Sequence, residues 1–115
     1  MFYQNMPLYL QLIDLLKIEY AYVHNLEKEY KYSLGDDVIR TTWNLIDLFV
    51  EAQTNGYNIT GKKDVIYEIA HKFDSLKLRI RFLTELKLIS LHQAAHINGL
   101  LVDIGKMIGG WQKNV

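Results

Sequence analysis

The placement of glycine and proline is the feature that most constrains the fold of this chain. Its only proline is Pro7, and the stretches 8–29 and 62–89 contain neither residue. Apolar residues recur within them at spacings of three and four, which is the period of one helix face. We predict helices at about 8–29, 34–53, 62–89 and 91–108. Short connections then favour an all-α, antiparallel up-down four-helix bundle, with one domain spanning residues 1–115.

Short polar and glycine-containing segments mark the predicted helix boundaries. Thr54, Asn55 and Gly56 end the second helix, and 57–61 is predicted as a loop. Ser90 followed by Gln93 is typical of a capping box at the start of the fourth helix. The pair Gly109 and Gly110 is predicted to close that helix.

Composition excludes several classes of protein. Half of the residues are apolar, which excludes intrinsic disorder, and the chain has no cysteine for disulfides or thiolate zinc sites. No apolar run approaches the roughly 20 residues of a membrane span, and the N-terminus lacks a basic signal-peptide region. We therefore expect a protein without membrane contact, located in the cytoplasm.

The second and third helices carry apolar residues on more than one side. In the second helix, one apolar stripe is accompanied by another on roughly the opposite side, and in the third helix Leu78, Phe82 and Ile89 are predicted to point away from the core. A surface helix of a monomeric bundle needs one apolar face, so we predict a homo-oligomer. The alternative is that one monomer packs these helices centrally. The predicted interface residues are Ile39, Trp43, Ile46, Val50, Leu78 and Phe82.

The first and fourth helices add two further expectations. Glu19 lies on the apolar face of the first helix, where a carboxylate is expected to reach solvent or to pair with a cation from another helix. The fourth helix has an apolar side beside a smooth strip of small residues, which favours close approach of a neighbouring helix. That apolar side is predicted to comprise Leu91, Ala94, Ile97, Leu101, Ile104, Ile108 and Trp111.

The zero net charge hides an uneven distribution of charged residues. Residues 62–89 contain seven basic and four acidic residues, whereas residues 33–56 contain one basic and four acidic residues. A symmetric ring would multiply the basic residues of the third helix into a band that binds phosphate backbones without sequence preference. The alternative is a solvated surface paired with the acidic second helix. The candidates for nucleic-acid binding are Lys63, Lys72, Lys77, Arg79 and Arg81.

No arrangement of residues predicts catalysis, a cofactor or a metal. His92 and His96 are spaced by four, and Asp103 falls on the same side of the helix, but three such residues without a motif are a weak metal signal. Phosphate-binding loops, dinucleotide fingerprints and nucleophile elbows are missing from the sequence. We therefore predict a protein that is not an enzyme.

Four segments together carry a family resemblance. They are residues 26–35 (LEKEYKYSLG), 47–52 (DLFVEA), 83–90 (LTELKLIS) and 104–111 (IGKMIGGW). In this order they resemble the accessory variability determinant (Avd) proteins of diversity-generating retroelements. The resemblance implies a pentamer of four-helix bundles that binds the element's reverse transcriptase and template RNA. It also implies a role in mutagenic cDNA synthesis and homing.

Two alternatives stay open beside this resemblance. One is a bundle of the type encoded in intervening sequences of ribosomal RNA genes, although the N-terminal and Ile-Pro-Ala-Asn segments usual in that group are missing here. The other is a structural oligomer that acts only through protein partners. Salt-sensitive binding of nucleic acid separates the Avd interpretation from the structural one.

Overall fold

Four long helices dominate the computed structural model, which describes residues 2–54 and 59–114. A 3-10 turn, Phe2–Asn5, precedes α1 (Pro7–His24), and α2 (Asp36–Thr54), α3 (Ile59–Glu85) and α4 (Leu91–Lys113) follow. Helices adjacent in sequence pack against each other, and contacts between α1 and α4 close the bundle. The predicted all-α, antiparallel four-helix bundle is confirmed, and no strand occurs in these residues.

One apolar core runs along the bundle between all four helices. Its largest fully buried side chains include Leu12 and Leu15 of α1, Phe49 of α2 and Ile104 of α4. One apolar stripe of α3 faces this core, and each of its members is buried. That stripe comprises Ile66, Ile69, Phe73, Leu76, Ile80 and Leu83.

Two apolar residues near the connection from α3 to α4 are placed differently from the prediction. Ile89 was expected to point away from the core, but it lies in the connection and is buried within the single chain. Leu91 was expected on the apolar side of α4, but it is 84% exposed. As the first residue of that helix it lies at the end of the bundle, beyond the layer in which Ala94 is buried.

The segment between α1 and α2 corrects the predicted end of the first helix at about residue 29. α1 ends at His24, and a single turn, Lys28–Tyr30, and a π-helical turn, Lys31–Gly35, lead into α2. Gly35 permits this close return of the chain. A Cβ at that position would lie 2.6 Å from Cγ1 of Val23, so a larger residue would push this turn away from α1.

The two ends of α3 also differ from the predicted range. At its C-terminus, the amide of Leu88 donates to the carbonyl of Leu83 and the amide of Lys87 donates to that of Thr84, both at 3.0 Å. These bonds form a Schellman motif, with Lys87 in the left-handed region at φ 60°, so α3 ends at Glu85 rather than at 89. At its N-terminus, α3 begins at Ile59. The predicted loop therefore ends earlier, and its residues 57 and 58 lie outside the described residues, as do 55 and 56.

The start of α4 matches the prediction and its end does not. Ser90 and Gln93 form the predicted capping box: Ser90 Oγ accepts from the amide of Gln93, and the Gln93 side chain accepts from the amide of Ser90. The helix was predicted to end near residue 108, but it continues through both glycines to Lys113. Trp111 packs on Phe49 with ring centroids 5.6 Å apart, and this contact holds the last turn against the bundle.

Candidate nucleic-acid interface

The basic residues predicted to bind nucleic acid lie on two different edges of α3. Lys77 and Arg81 line a groove with residues of α4, whereas Arg79 contacts Asp37 beside α2. At about 100° per residue, Lys72 shares the α2-facing edge with Arg79, and Lys63 shares the α4-facing edge. Lys63 is about 21 Å from Lys77 along the helix axis. The structure therefore brings Lys77 and Arg81 together in one groove. Arg81 also borders the hollow that contains Arg79, so it lies between the two edges.

Acidic residues accompany the two cations on the α2-facing edge. Arg79 Nε donates to Asp37 Oδ2 at 2.6 Å, and its Nη1 donates to the carbonyl of Ser75 at 3.1 Å and to the Ser75 hydroxyl. Lys72 lines a hollow together with three acidic residues. These are Asp47, Glu51 and Glu68. On this edge the alternative interpretation, in which the third helix pairs with the acidic second helix, describes what the structure shows.

The α4-facing edge carries the candidate site, which we term the basic groove. It has a volume of ≈ 550 Å³. Its lining residues are Phe73, Lys77, Arg81 and Thr84 of α3 together with Asn98, Leu101, Val102 and Gly105 of α4. None of the four lining residues contributed by α4 is acidic. The facing helix therefore supplies no counter-charge to Lys77 and Arg81 within the groove.

Both cations of the basic groove pair only weakly within their own helix. Lys77 Nζ lies 3.1 Å from Asp74 Oδ1, and Arg81 Nε lies 3.2 Å from Glu85 Oε1, at helix spacings of three and four. The Lys77 and Arg81 side chains remain 48% and 77% exposed. Exposed pairs of this kind are worth about 0.3–0.5 kcal/mol. An anionic ligand can therefore compete for both cations at little cost.

The shape of the basic groove follows from a missing side chain in α4. Gly105 lies above the buried ring of Phe73, and a Cβ at that position would be 3.3 Å from Phe73 Cε2. Lys77 Nζ lies 5.0 Å from the centroid of the same ring. Two cations and the Asn98 amide thus border an apolar floor. Cations and amide groups are the side chains that contact phosphate oxygens, and such contacts do not read base sequence.

The sequence analysis did not select one residue of α4 that belongs to this region. Asn98 lines the basic groove, whereas Lys106, one helical turn beyond Val102, is exposed and does not line it. The available signal was the spacing of four between residues 98, 102 and 106. That spacing indicates a common face, but not which helix the face meets.

The second apolar stripe of α2 packs mainly within the single chain. Ile46, predicted as an oligomer contact, is only 4% exposed in the single chain and leaves little surface for a second copy. Ile39 and Val50 are half-buried and pack against the core. Trp43 is 41% exposed, and its Nε1 donates to the Tyr20 hydroxyl of α1 at 3.1 Å. The stripe therefore lies beside the core stripe, facing α1, rather than opposite to it.

The two predicted interface residues of α3 are exposed. Leu78 is 65% and Phe82 is 48% exposed, and both border a hollow of ≈ 480 Å³ that includes Leu34. The Arg79–Asp37 pair lies in the same hollow, which Arg81 and Glu85 also line. Together, Leu78 and Phe82 form an apolar surface, which we term the α3 patch, next to a charge pair that is already neutralised. Such a surface favours a protein contact.

Glu19 is buried without a cationic partner, which corrects both expectations for this residue. It is 2% exposed, and Thr42 Oγ1 donates to its Oε2 at 2.7 Å, while its Oε1 has no hydrogen-bond partner. Burial raises the pKa of this carboxyl to about 8, and the Thr42 hydrogen bond lowers it in part. The Glu19 carboxyl therefore belongs to the core and lies apart from the basic groove.

Within the described residues, neither a metal cluster nor a membrane-spanning helix is found. No three His, Asp or Glu side chains there are arranged to hold a metal ion, and His96 Nδ1 instead lies 3.4 Å from the Tyr22 hydroxyl. None of the helices there combines the length and apolarity that a bilayer crossing requires.

Comparison with known proteins gives one result. A family model described as bAvd-like matches residues 8–115, which covers all four helices and both edges of α3. A search of curated proteins returns no match.

Proposed function

The chain belongs to the bAvd-like family of Avd-type accessory proteins, and from this premise we propose its role in a diversity-generating retroelement. In this role it binds the element's reverse transcriptase and template RNA, and it supports mutagenic cDNA synthesis and homing without catalysing a reaction itself. It acts in the cytoplasm together with the polymerase. The family match along residues 8–115 is the observation that carries the proposal.

The basic groove is the proposed contact for template RNA. Lys77 and Arg81 face an α4 surface without acidic lining residues. Phosphate contacts of this kind give sequence-independent, salt-sensitive affinity. Lys63 lies on the same edge of α3 but far from Lys77 along the helix. Lys72 shares a hollow with acidic residues, and Arg79 pairs with Asp37. We therefore assign RNA binding to Lys77 and Arg81 first.

A ring of copies, with five subunits as the family resemblance implies, is the proposed assembly. The α3 patch lies on the side of the bundle shared by α2 and α3, and the exposed Tyr20–Trp43 pair lies on the side shared by α1 and α2. These two sides are neighbours rather than opposites. If one of these sides contacts the other side of the next copy, each copy is rotated relative to the one before it. A heterologous contact of this kind can close into a ring.

RNA affinity in two charge-matched double variants tests the RNA contact. K77A/R81A and K72A/R79A each remove two positive charges, but from different edges of α3. Fluorescence anisotropy with an unstructured RNA oligonucleotide at increasing salt should show weaker binding by K77A/R81A, with a salt slope smaller by about 1.4 for two lost phosphate contacts. K72A/R79A should bind RNA like the parent protein. Circular dichroism establishes that both variants are folded.

The same measurements separate this role from that of a structural oligomer. The ion pairs of Lys77, Arg79 and Arg81 favour that alternative, because charges that serve packing need no RNA. A folded protein that binds no RNA at any salt concentration and does not copurify with the reverse transcriptase would support the alternative. Light scattering against the monomer mass of 13.5 kDa gives the assembly state. L78D should dissociate the ring, whereas L91D, at a still more exposed leucine outside the α3 patch, should not.

A further inference from the structure

The Glu19 carboxyl is placed where an ionised group has too few partners. It is the only titratable side chain among the buried residues of the described chain, and its Oε1 has no hydrogen-bond donor. Its hydrogen-bond partner is the hydroxyl of Thr42 on α2, whose Oγ1 lies 2.7 Å from Oε2. A buried carboxylate normally needs a cation or several donors. This site has one hydroxyl.

The hydrogen-bond geometry around Thr42 favours the protonated acid. Thr42 Oγ1 lies 2.7 Å from Glu19 Oε2 and 3.3 Å from the carbonyl oxygen of Val38, and a hydroxyl has a single proton to donate. If Glu19 is ionised, that proton cannot serve both acceptors. If Glu19 carries a proton, its carboxyl donates to Thr42 Oγ1, and the Thr42 hydroxyl donates to Val38. The neutral acid therefore completes a chain of two hydrogen bonds.

The charged groups around this site do not compensate an ionised Glu19. On α2, Asp37 pairs with Arg79 of α3, and Arg40 and Asp47 are exposed. On α4, His96 contacts Tyr22, one turn beyond Glu19, at the exposed rim. The core-facing residues of α3 carry no charge. Burial accordingly raises the pKa of Glu19, and only the Thr42 hydrogen bond opposes this effect.

We propose that Glu19 and Thr42 form a pH-sensitive contact that joins α1 to α2 as a protonated acid–hydroxyl pair and weakens when Glu19 ionises. Folding keeps the proton that the unfolded chain releases near its ordinary pKa of 4.5. The folded state therefore binds more protons than the unfolded state between about pH 5 and pH 8. Stability from this contact is fully present below that window, falls as the pH rises through it, and levels off above it.

Chemical denaturation of the full chain and of E19Q between pH 5 and pH 9 tests this proposal. The amide side chain of E19Q keeps the shape of the acid and a hydrogen-bond donor but cannot ionise. Relative to E19Q, the folding equilibrium constant of the parent chain should fall by about tenfold per pH unit across the window, as one retained proton requires. The exposed Glu29 provides the matched control, since E29Q should leave the pH profile of the parent chain unchanged.

Direct titration of the Glu19 carboxyl by ¹³C NMR gives a second measurement that does not depend on the folding of E19Q. The resonance should remain that of a protonated acid at pH 6 and change to the ionised form near pH 8. A carboxyl that titrates below pH 5 in the folded protein would overturn the proposal. So would parallel stability profiles for the parent chain and a folded E19Q.

Discussion

The two edges of α3 carry the same kind of residue and face opposite surroundings. Toward α2, Arg79 meets Asp37 at 2.6 Å, and Lys72 shares a hollow with three acids. Toward α4, Lys77 and Arg81 border a groove whose α4 lining is uncharged. The chemistry of a basic side chain here is thus decided by the helix that faces it. Counting the basic residues of α3 cannot distinguish a structural contact from a binding surface.

The largest expected effect comes from making the α4-facing edge resemble the α2-facing edge. Asn98→Asp adds one negative charge inside the basic groove without changing the size of the side chain. The new carboxylate should pair with Lys77 or Arg81 and repel phosphate. We expect RNA affinity to fall about tenfold, close to 1.4 kcal/mol, because one phosphate contact is replaced by an internal pair. Fluorescence anisotropy at fixed salt measures this change.

Asn44→Asp is the matched control for that variant. Asn44 lies on α2 in the hollow that already contains Asp47, Glu51 and Glu68, so the same substitution adds the same charge to an acidic surface. RNA affinity should stay close to that of the parent protein. Equal losses in both variants would mean that net charge alone controls binding, and the distinction between the two edges would fail.

The general fold was predictable because it depends on local periodicity, whereas the helix ends depend on contacts between helices. The spacing of apolar residues predicted the four helices, and Ser90 with Gln93 predicted the start of α4. The end of α3 was not predictable in this way, because Lys87 adopts a left-handed conformation that usually requires glycine. The end of α4 depends on the packing of Trp111 against Phe49, a contact between distant parts of the sequence.

A smaller effect is expected on stability. The loss should be larger for a variant on the α2-facing edge than for one on the α4-facing edge. Arg79→Met removes a half-buried pair with Asp37 and two hydrogen bonds to Ser75, and it should lower the free energy of unfolding by about 1 kcal/mol. Arg81→Met removes only the exposed pair with Glu85, for about 0.3 kcal/mol. Urea denaturation measures both values. A larger loss for Arg81→Met would show that the α4-facing edge is the structural one.

The sequence predicted which helix carries the candidate site, but not which edge of that helix forms it. Sequence reasoning assigned the basic residues to the third helix, and it left pairing with the acidic second helix as the alternative. Which flank meets α2 and which meets α4 is set by the handedness of the bundle, and residue spacing does not contain that information. Ile46 shows the same limit. Its spacing put it on a second stripe, and only the packing of α1 shows that the stripe is largely covered.

A last effect, a difference of less than about 1 kcal/mol between two glycine variants, concerns the glycine that opens the basic groove. Gly109, one turn beyond Gly105, has no neighbour within 4 Å of a Cβ, so Gly109→Ala should raise the free energy of unfolding by about 0.5–1 kcal/mol. Gly105→Ala should gain less, because its Cβ would lie 3.3 Å from the buried Phe73 ring and that ring must shift. Urea denaturation of the two variants measures the difference. Equal gains would mean that Phe73 yields freely, so that close packing of α4 on α3 does not fix the floor of the groove. A smaller gain for Gly105→Ala, together with weaker RNA binding by that variant, would indicate that the shape of the basic groove matters for RNA binding.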